Sequence, residues 1–229
     1  MVERPRTLSP ETLPDTLAVF PLPGAMLLPG GQLPLNIFEP RYLNMIEDAL
    51  AAPGRLIGMI QPVAEKDERL IADGVRLYDI GCAGRITQFA ETGDGRYVIT
   101  LEGLIRFRIA EELSLLDGYR RVRPDFSPYI NDLQQAGPGE GEDIPGRDRL
   151  ISAMTRYFDS KGIEADMSGI DNAPDALLIN TLAMTCPLDP GEKQALLECP
   201  DTARRAMLLT SIFEIASHGD GDTPKDLRQ

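Results

Sequence analysis

Two hydrophobic rhythms divide this chain. Up to about residue 130 the apolar residues come in short runs closed off by glycine and proline; beyond about residue 147 they recur every three or four positions. Residues 17–22 (LAVFPL) and 33–38 (LPLNIF) are the first such runs. They are short and bounded by turn residues, which predicts buried strands rather than helices. The loop between them carries Pro23, Gly24, Pro29, Gly30 and Gly31, yet Met26, Leu27 and Leu28 sit in its middle. A loop that apolar either packs under the sheet or offers an adhesive surface. After the second run, Pro40 stands at a first helical position, where a missing N–H costs nothing. Tyr42, Leu43, Ile46, Ala49 and Leu50 then follow at helical spacing, with Arg41, Asn44, Glu47 and Asp48 on the other face, until Pro53-Gly54 ends the helix.

Residues 55–61 predict a third strand, and 65–69 are a charge run that reads as a solvated loop. From residue 78 the pattern is β throughout. Strands are predicted at 80–89, with close-packing glycines at 81 and 84, and at 97–101, 104–109 and 118–126. Gly93-Asp94-Gly95 marks a hairpin turn, and Glu102-Gly103 separates the two middle strands. Strands this closely spaced, with one helix between the second and third, predict a small closed or nearly closed barrel. Residues 131–147 are rich in glycine and proline and read as a linker. Helices are then predicted at 149–158, at 173–185, from the capping sequence Asp189-Pro190-Gly191-Glu192 through 197, and from Cys199-Pro200-Asp201 to about 217. The fold class is α+β. A flexible arm (1–12) precedes a β-rich pseudo-barrel subdomain (13–130), the linker (131–147), a helical subdomain (148–217) and a polar, disordered tail (218–229).

Composition narrows the function. At 229 residues, 42% hydrophobic and 26% charged, the chain suits a soluble protein with a core that needs no disulfides. Its three cysteines, Cys82, Cys186 and Cys199, are odd in number and far apart, which points to buried thiols in a reducing compartment. The charged, proline-rich start has no signal-peptide pattern, and no run approaches the ~18 apolar residues of a membrane span. A cytoplasmic location is expected. The net charge of −13 disfavours nucleic acid. The local exception is the cluster Arg106, Arg108, Arg120, Arg121 and Arg123. Arg106/Arg108 and Arg121/Arg123 alternate at period two, as a weak anionic-ligand patch would. They would equally suit a solvated exterior neutralised by Glu102, Glu111, Glu112 and Asp125.

Catalytic constellations fail on residue count or spacing. The one histidine, His218, reads as a helix C-terminal residue, and there is no C-x-x-C, so neither a metal site nor a base for a serine or cysteine nucleophile is predicted. The glycine-rich 24–31 loop lacks the lysine of a phosphate-binding loop, and 137–141 is flanked by Glu140 and Glu142. Asp166, Ser168 and Asp171 lack the glycine placement and closing glutamate of a calcium loop. No cofactor is expected.

The arrangement V-F-P-L-P-x-x-x-L-L-P-G followed by P-L-x-I-F-E-P-R-Y resembles the opening of the Lon protease N-terminal, substrate-binding domain, most of all the small stand-alone bacterial proteins built from it. Further blocks agree in order: Gly81-Cys82-Ala83, then Asp94-Gly95-Arg96 with I-T-L-E-G-L-I-R-F-R-I, then Glu192-Lys193-Gln194-Ala195-Leu196-Leu197-Glu198 with Ala203-Arg204-Arg205 and Leu208-Leu209. The resemblance implies a PUA-like pseudo-barrel followed by a helical bundle, and recognition of polypeptides. It implies no ATPase or peptidase in this chain: Ser160-Lys161 is an adjacent pair, not the family's Ser–Lys dyad. The expectation is a non-enzymatic module that binds exposed or unfolded polypeptide segments, as an adaptor or partner of a protease or chaperone. RNA binding through the barrel and the Arg106–Arg123 cluster is the alternative. For peptide contacts the candidates are Met26, Leu27 and Leu28, with Arg41 and Tyr42 supplying polar groups; alternatively Met26, Leu27 and Leu28 close the barrel end and Arg41 pairs with Glu39.

Overall fold

The computed structural model describes residues 9–63, 74–135, 144–164, 170 and 173–219, without the side chains of 134, 135, 218 and 219. Most of the expected arm, the 65–69 charge run, much of the linker, the acidic residues 166 and 171 with Ser168, and the tail from 220 lie outside the described residues. Six strands, β1 (Leu17–Pro21), β2 (Gln32–Ile37), β3 (Leu56–Ile60), β4 (Ile80–Glu91), β5 (Tyr97–Leu116) and β6 (Tyr119–Asp125), form one sheet in the order β2-β5-β4-β3-β1-β6. β6 pairs with β1 and also with the far half of β5, so five strands close into a barrel. β2 lies antiparallel to the near half of β5, its one neighbour among the described residues. β1 and β3 are parallel, which requires a long crossover; β2 and α1 (Pro40–Ala51) supply it.

The two strands expected at 97–101 and 104–109 are one. β5 runs unbroken for 20 residues through Glu102-Gly103. Gly103 is there for close approach rather than for a turn. Its N–H donates to Gly31 O (2.8 Å), its carbonyl accepts from Gly30 N–H (2.8 Å), and a methyl group at this position would overlap the carbonyl oxygen of Leu28. The expected linker also contains structure, since α2 (Asp132–Gln135) opens it.

α3 (Arg147–Lys161), α4 (Asp175–Thr185), α5 (Pro190–Glu198) and α6 (Thr202–Gly219) follow. The capping signal before α5 is realised: Asp189 N–H donates to the Glu192 carboxylate at 2.9 Å. These helices do not form a separate body. Met26, Leu27 and Leu28 share one apolar core with Tyr157, Leu196 and Phe213, where the Tyr157 and Phe213 rings stack at 4.8 Å. A smaller cluster that includes Val19, Ile105, Phe107 and Val122 fills the barrel.

All three cysteines are buried and free. Burial pushes the Cys186 thiol up from 9.0 to about 11. An unfolded chain ionises this thiol near pH 9 while the folded chain holds it neutral until about pH 11. Its contribution is therefore full below pH 9 and is lost as pH rises through that window. The difference in urea-unfolding free energy between the wild type and Cys186→Ala should shrink by roughly 1 kcal/mol per pH unit there. A pH-independent difference would contradict this.

Candidate functional site

Met26, Leu27 and Leu28 are 2%, 1% and 0% exposed. The adhesive-loop expectation is thereby corrected: these side chains are core. The glycines at 30, 31 and 103 let the loop lie flat on β5, which turns its apolar side chains inward. Helices hold it there. The Asn180 side-chain amide donates to Pro29 O (3.2 Å), and the Lys193 ammonium donates to Gly24 O (2.8 Å) and Met184 O (3.1 Å).

Arg41 pairs with Glu39 at 2.9 Å and stacks over the Tyr42 ring at 4.7 Å. Tyr42 is buried and packs against Phe20 with ring centroids 4.3 Å apart. These two rings floor a groove of about 270 Å³ whose sides are built by Pro21, Leu22, Pro34 and Phe38. Topology makes the groove. Among the described residues β6 covers β1 only along Leu17, Ala18 and Val19, and β2 has no second neighbour, so the sheet they form is open between the end of β1 and β2. At the rim Phe38 is 62% exposed, with the Arg96 guanidinium 5.8 Å from its ring centroid. Of the five expected contact residues, Tyr42 lines this groove and Arg41 flanks it.

The wall at residues 21–24 is braced by a buried polar network from α5. Gly24 N–H donates to Gln61 Oε1 (3.2 Å), and Gln61 Nε2 donates to Pro190 O (3.0 Å). Gln194 Nε2 donates to Ile80 O (3.1 Å). Burial holds the Lys193 ammonium below the ordinary lysine pKa. The Lys-Gln pair of the K-Q-x-L-L-E segment thus clamps the helices to the barrel beside the groove. Nothing in its local sequence signalled that partner.

The arginine cluster does not form one patch. Arg106 is 5% exposed and makes a two-pronged pair with Asp132 (Nε to Oδ2 and Nη2 to Oδ1, both 2.8 Å), while its Nη1 donates to Leu197 O (3.2 Å). Burial pulls its pKa down, but the hydrogen bond and charge of Asp132 outweigh this and raise it. Arg123 pairs with Glu111 (2.7 Å), Arg121 donates to Ser114 O (3.2 Å), and Arg108 lies near Tyr129 and Asp125. Arg106 leaves the expected patch because α2 and the segment after α5 cover it on the face turned away from Ile105 and Phe107, where Asp132 supplies its carboxylate. Among the described residues no three His, Cys, Asp or Glu side chains converge as a metal site would require, and no helix is long and apolar enough to cross a membrane.

Residues 16–214 match the model of the ATP-dependent protease La (LON) substrate-binding domain. The chain is 32% identical to Lon protease 2 of Myxococcus xanthus over 214 residues, covering 91% of this chain and 24% of that protein. It is 28% identical to Lon protease 2 of Sorangium cellulosum over 205 residues, covering 86% of this chain and again 24% of the relative. It therefore spans about a quarter of the length of these curated relatives. Among solved structures it is similar to a Lon N-terminal domain protein from Xanthomonas campestris, with TM-score 0.59, 26% identity, and coverage of 86% of this chain and 97% of that one. The N-terminal domain of Mycobacterium avium complex Lon protease, 16% identical with TM-score 0.57, shares the fold.

Proposed function

Since the chain belongs to the family of Lon substrate-binding domains, we propose that it is a non-enzymatic module that binds exposed apolar segments of unfolded polypeptides, and that it serves a protease or chaperone as adaptor or partner. The observation that carries this reading is the groove between β1 and β2. It is concave and apolar, floored by Phe20 and Tyr42, with the exposed Phe38 ring at its rim. Apolar concavities with a few polar groups are what side-chain recognition requires, and an exposed aromatic residue beside one is the kind that dominates binding energy.

The test uses casein as an unfolded client. Phe38→Ser should leave the melting temperature within a few degrees of wild type, because an exposed side chain contributes little to folding. Its affinity for fluorescently labelled casein should fall at least about fivefold. An unchanged affinity would remove the groove from the reading. Incubation with casein and ATP should release no peptides, and cleavage that persists in protein made in a protease-deficient host would overturn the non-enzymatic part.

A further inference from the structure

We infer that a client segment occupies this groove through its side chains and not by adding a strand to the open sheet, and that the preferred segment is an apolar residue pair flanked by cations. The inference rests on the polypeptide-binding reading above and specifies how the client is held.

An open sheet edge ordinarily invites strand addition, since its unpaired N–H and C=O groups can form a ladder with an incoming chain. Both sides of this groove are short of donors. On the β1 side, Pro21 and Pro23 have no N–H, Leu22 N–H is committed to Ile60 O (3.1 Å), and Gly24 N–H is committed to Gln61 (3.2 Å). Four consecutive residues therefore offer an incoming backbone no N–H. On the β2 side, Gly103 N–H bonds Gly31 O, and Gln32 sits opposite Glu102. The alternation of an antiparallel pair then directs the main chain of Leu33, Leu35 and Ile37 toward β5, and that of Gln32, Pro34 and Asn36 toward the open edge. Pro34 is the central one of those three and has no N–H. A strand docked here would miss its middle donor on one side and every donor from 21 to 24 on the other.

Burial of apolar surface is what remains to hold a ligand. The floor is aromatic and the walls are proline and leucine, surfaces that take up bulky side chains with no demand on backbone direction. Glu39 is the one charged residue lining the groove; it is shared with Arg41. Glu47 and Asp48 follow on α1, bonded to Tyr97 (2.6 Å) and Tyr119 (2.7 Å), and the two nearby cations are themselves paired, Arg41 with Glu39 and Arg96, beside Phe38, with Asp94 (3.0 Å). With a net charge of −13 over the whole chain, a groove edge poor in backbone donors favours ligands that bring their own donors and positive charge.

The experiment measures fluorescence anisotropy with a labelled peptide carrying a central Leu-Phe pair between lysines. Three variant sets are compared: single backbone N-methylations along the segment, the Leu-Phe pair changed to Ser-Ser, and the lysines changed to glutamates. Each N-methylation should change Kd less than about threefold, whereas a strand-added ligand would lose roughly tenfold at every second position. The Ser-Ser peptide should lose binding. The glutamate peptide should bind at least about fivefold more weakly at ~50 mM salt, with the gap narrowing near 500 mM, and Glu39→Gln in the protein should narrow it too. A periodic N-methyl sensitivity overturns the side-chain mode while leaving polypeptide binding intact. Equal affinity of the lysine and glutamate peptides overturns the cationic preference. Absence of binding by every peptide, with casein also unbound, overturns the underlying reading itself.

Discussion

Asp132→Ala should lower the unfolding free energy by about 3–5 kcal/mol, the range for a buried ion pair that loses one member. Asp132 accepts from Arg106 three times, from the backbone N–H (3.0 Å), from Nε and from Nη2. Without it, Arg106 stays buried beside Arg205, a guanidinium already pushed down to about 10 by burial and by the positive charge of Arg106. Two buried cations would then face carbonyl oxygens and an amide, among them Leu196 O and Asn180 Oδ1 for Arg205. The double variant Asp132→Leu/Arg106→Met should recover much of the loss, because exchanging a whole buried pair for apolar side chains is often near neutral. Urea denaturation of the three proteins measures it. A loss below about 1 kcal/mol for Asp132→Ala would mean that water reaches the site and that the pair does not tie β5 to the helices.

Gly103→Ala is expected to destabilise by at least the 1–3 kcal/mol typical of overpacking, because the added methyl would meet backbone, which cannot rotate away. The Leu28 carbonyl has to move, and with it a loop whose Met26, Leu27 and Leu28 side chains lie in the shared core. Gly93→Ala, in the β4–β5 turn with nothing within 4 Å of the new methyl, is the matched control and should stay within about 0.5 kcal/mol of wild type. Equal effects at both sites would show that Gly103 is not a close-approach position.

These two sites also mark where local sequence signals stop. Strands β1 to β4 and β6 and helices α1 and α3 to α6 were legible because each carries its own periodicity and its own proline or glycine boundary. Gly103 was misleading because a glycine within an apolar run reads as an interruption, while its actual constraint comes from Leu28, 75 positions earlier in the chain. Met-Leu-Leu in a loop has the same local pattern whether it points in or out; the decision belongs to Asn180 and Lys193, which reach back 151 and 169 residues to Pro29 and Gly24. Arg106 was placed on an outer face by alternation, and its partner came from a segment whose glycine and proline content advertised only a linker. The groove was half visible. Tyr42 stood out beside Arg41 in the sequence, whereas Phe20 and Phe38 join it through an open seam that depends on where β6 stops pairing with β1.

A protein made from its N-terminus completes the core that Met26, Leu27 and Leu28 share only once its helices exist. That core extends to Phe213, so it closes only after about 190 further residues are translated, roughly 10–40 s at ~5–20 residues per second. Until the strands and helices that pack on it are made, the ribosome-bound chain carries Met-Leu-Leu between prolines and glycines, an apolar segment of the class proposed as client. Each newborn copy is, for that time, a candidate ligand of its finished siblings.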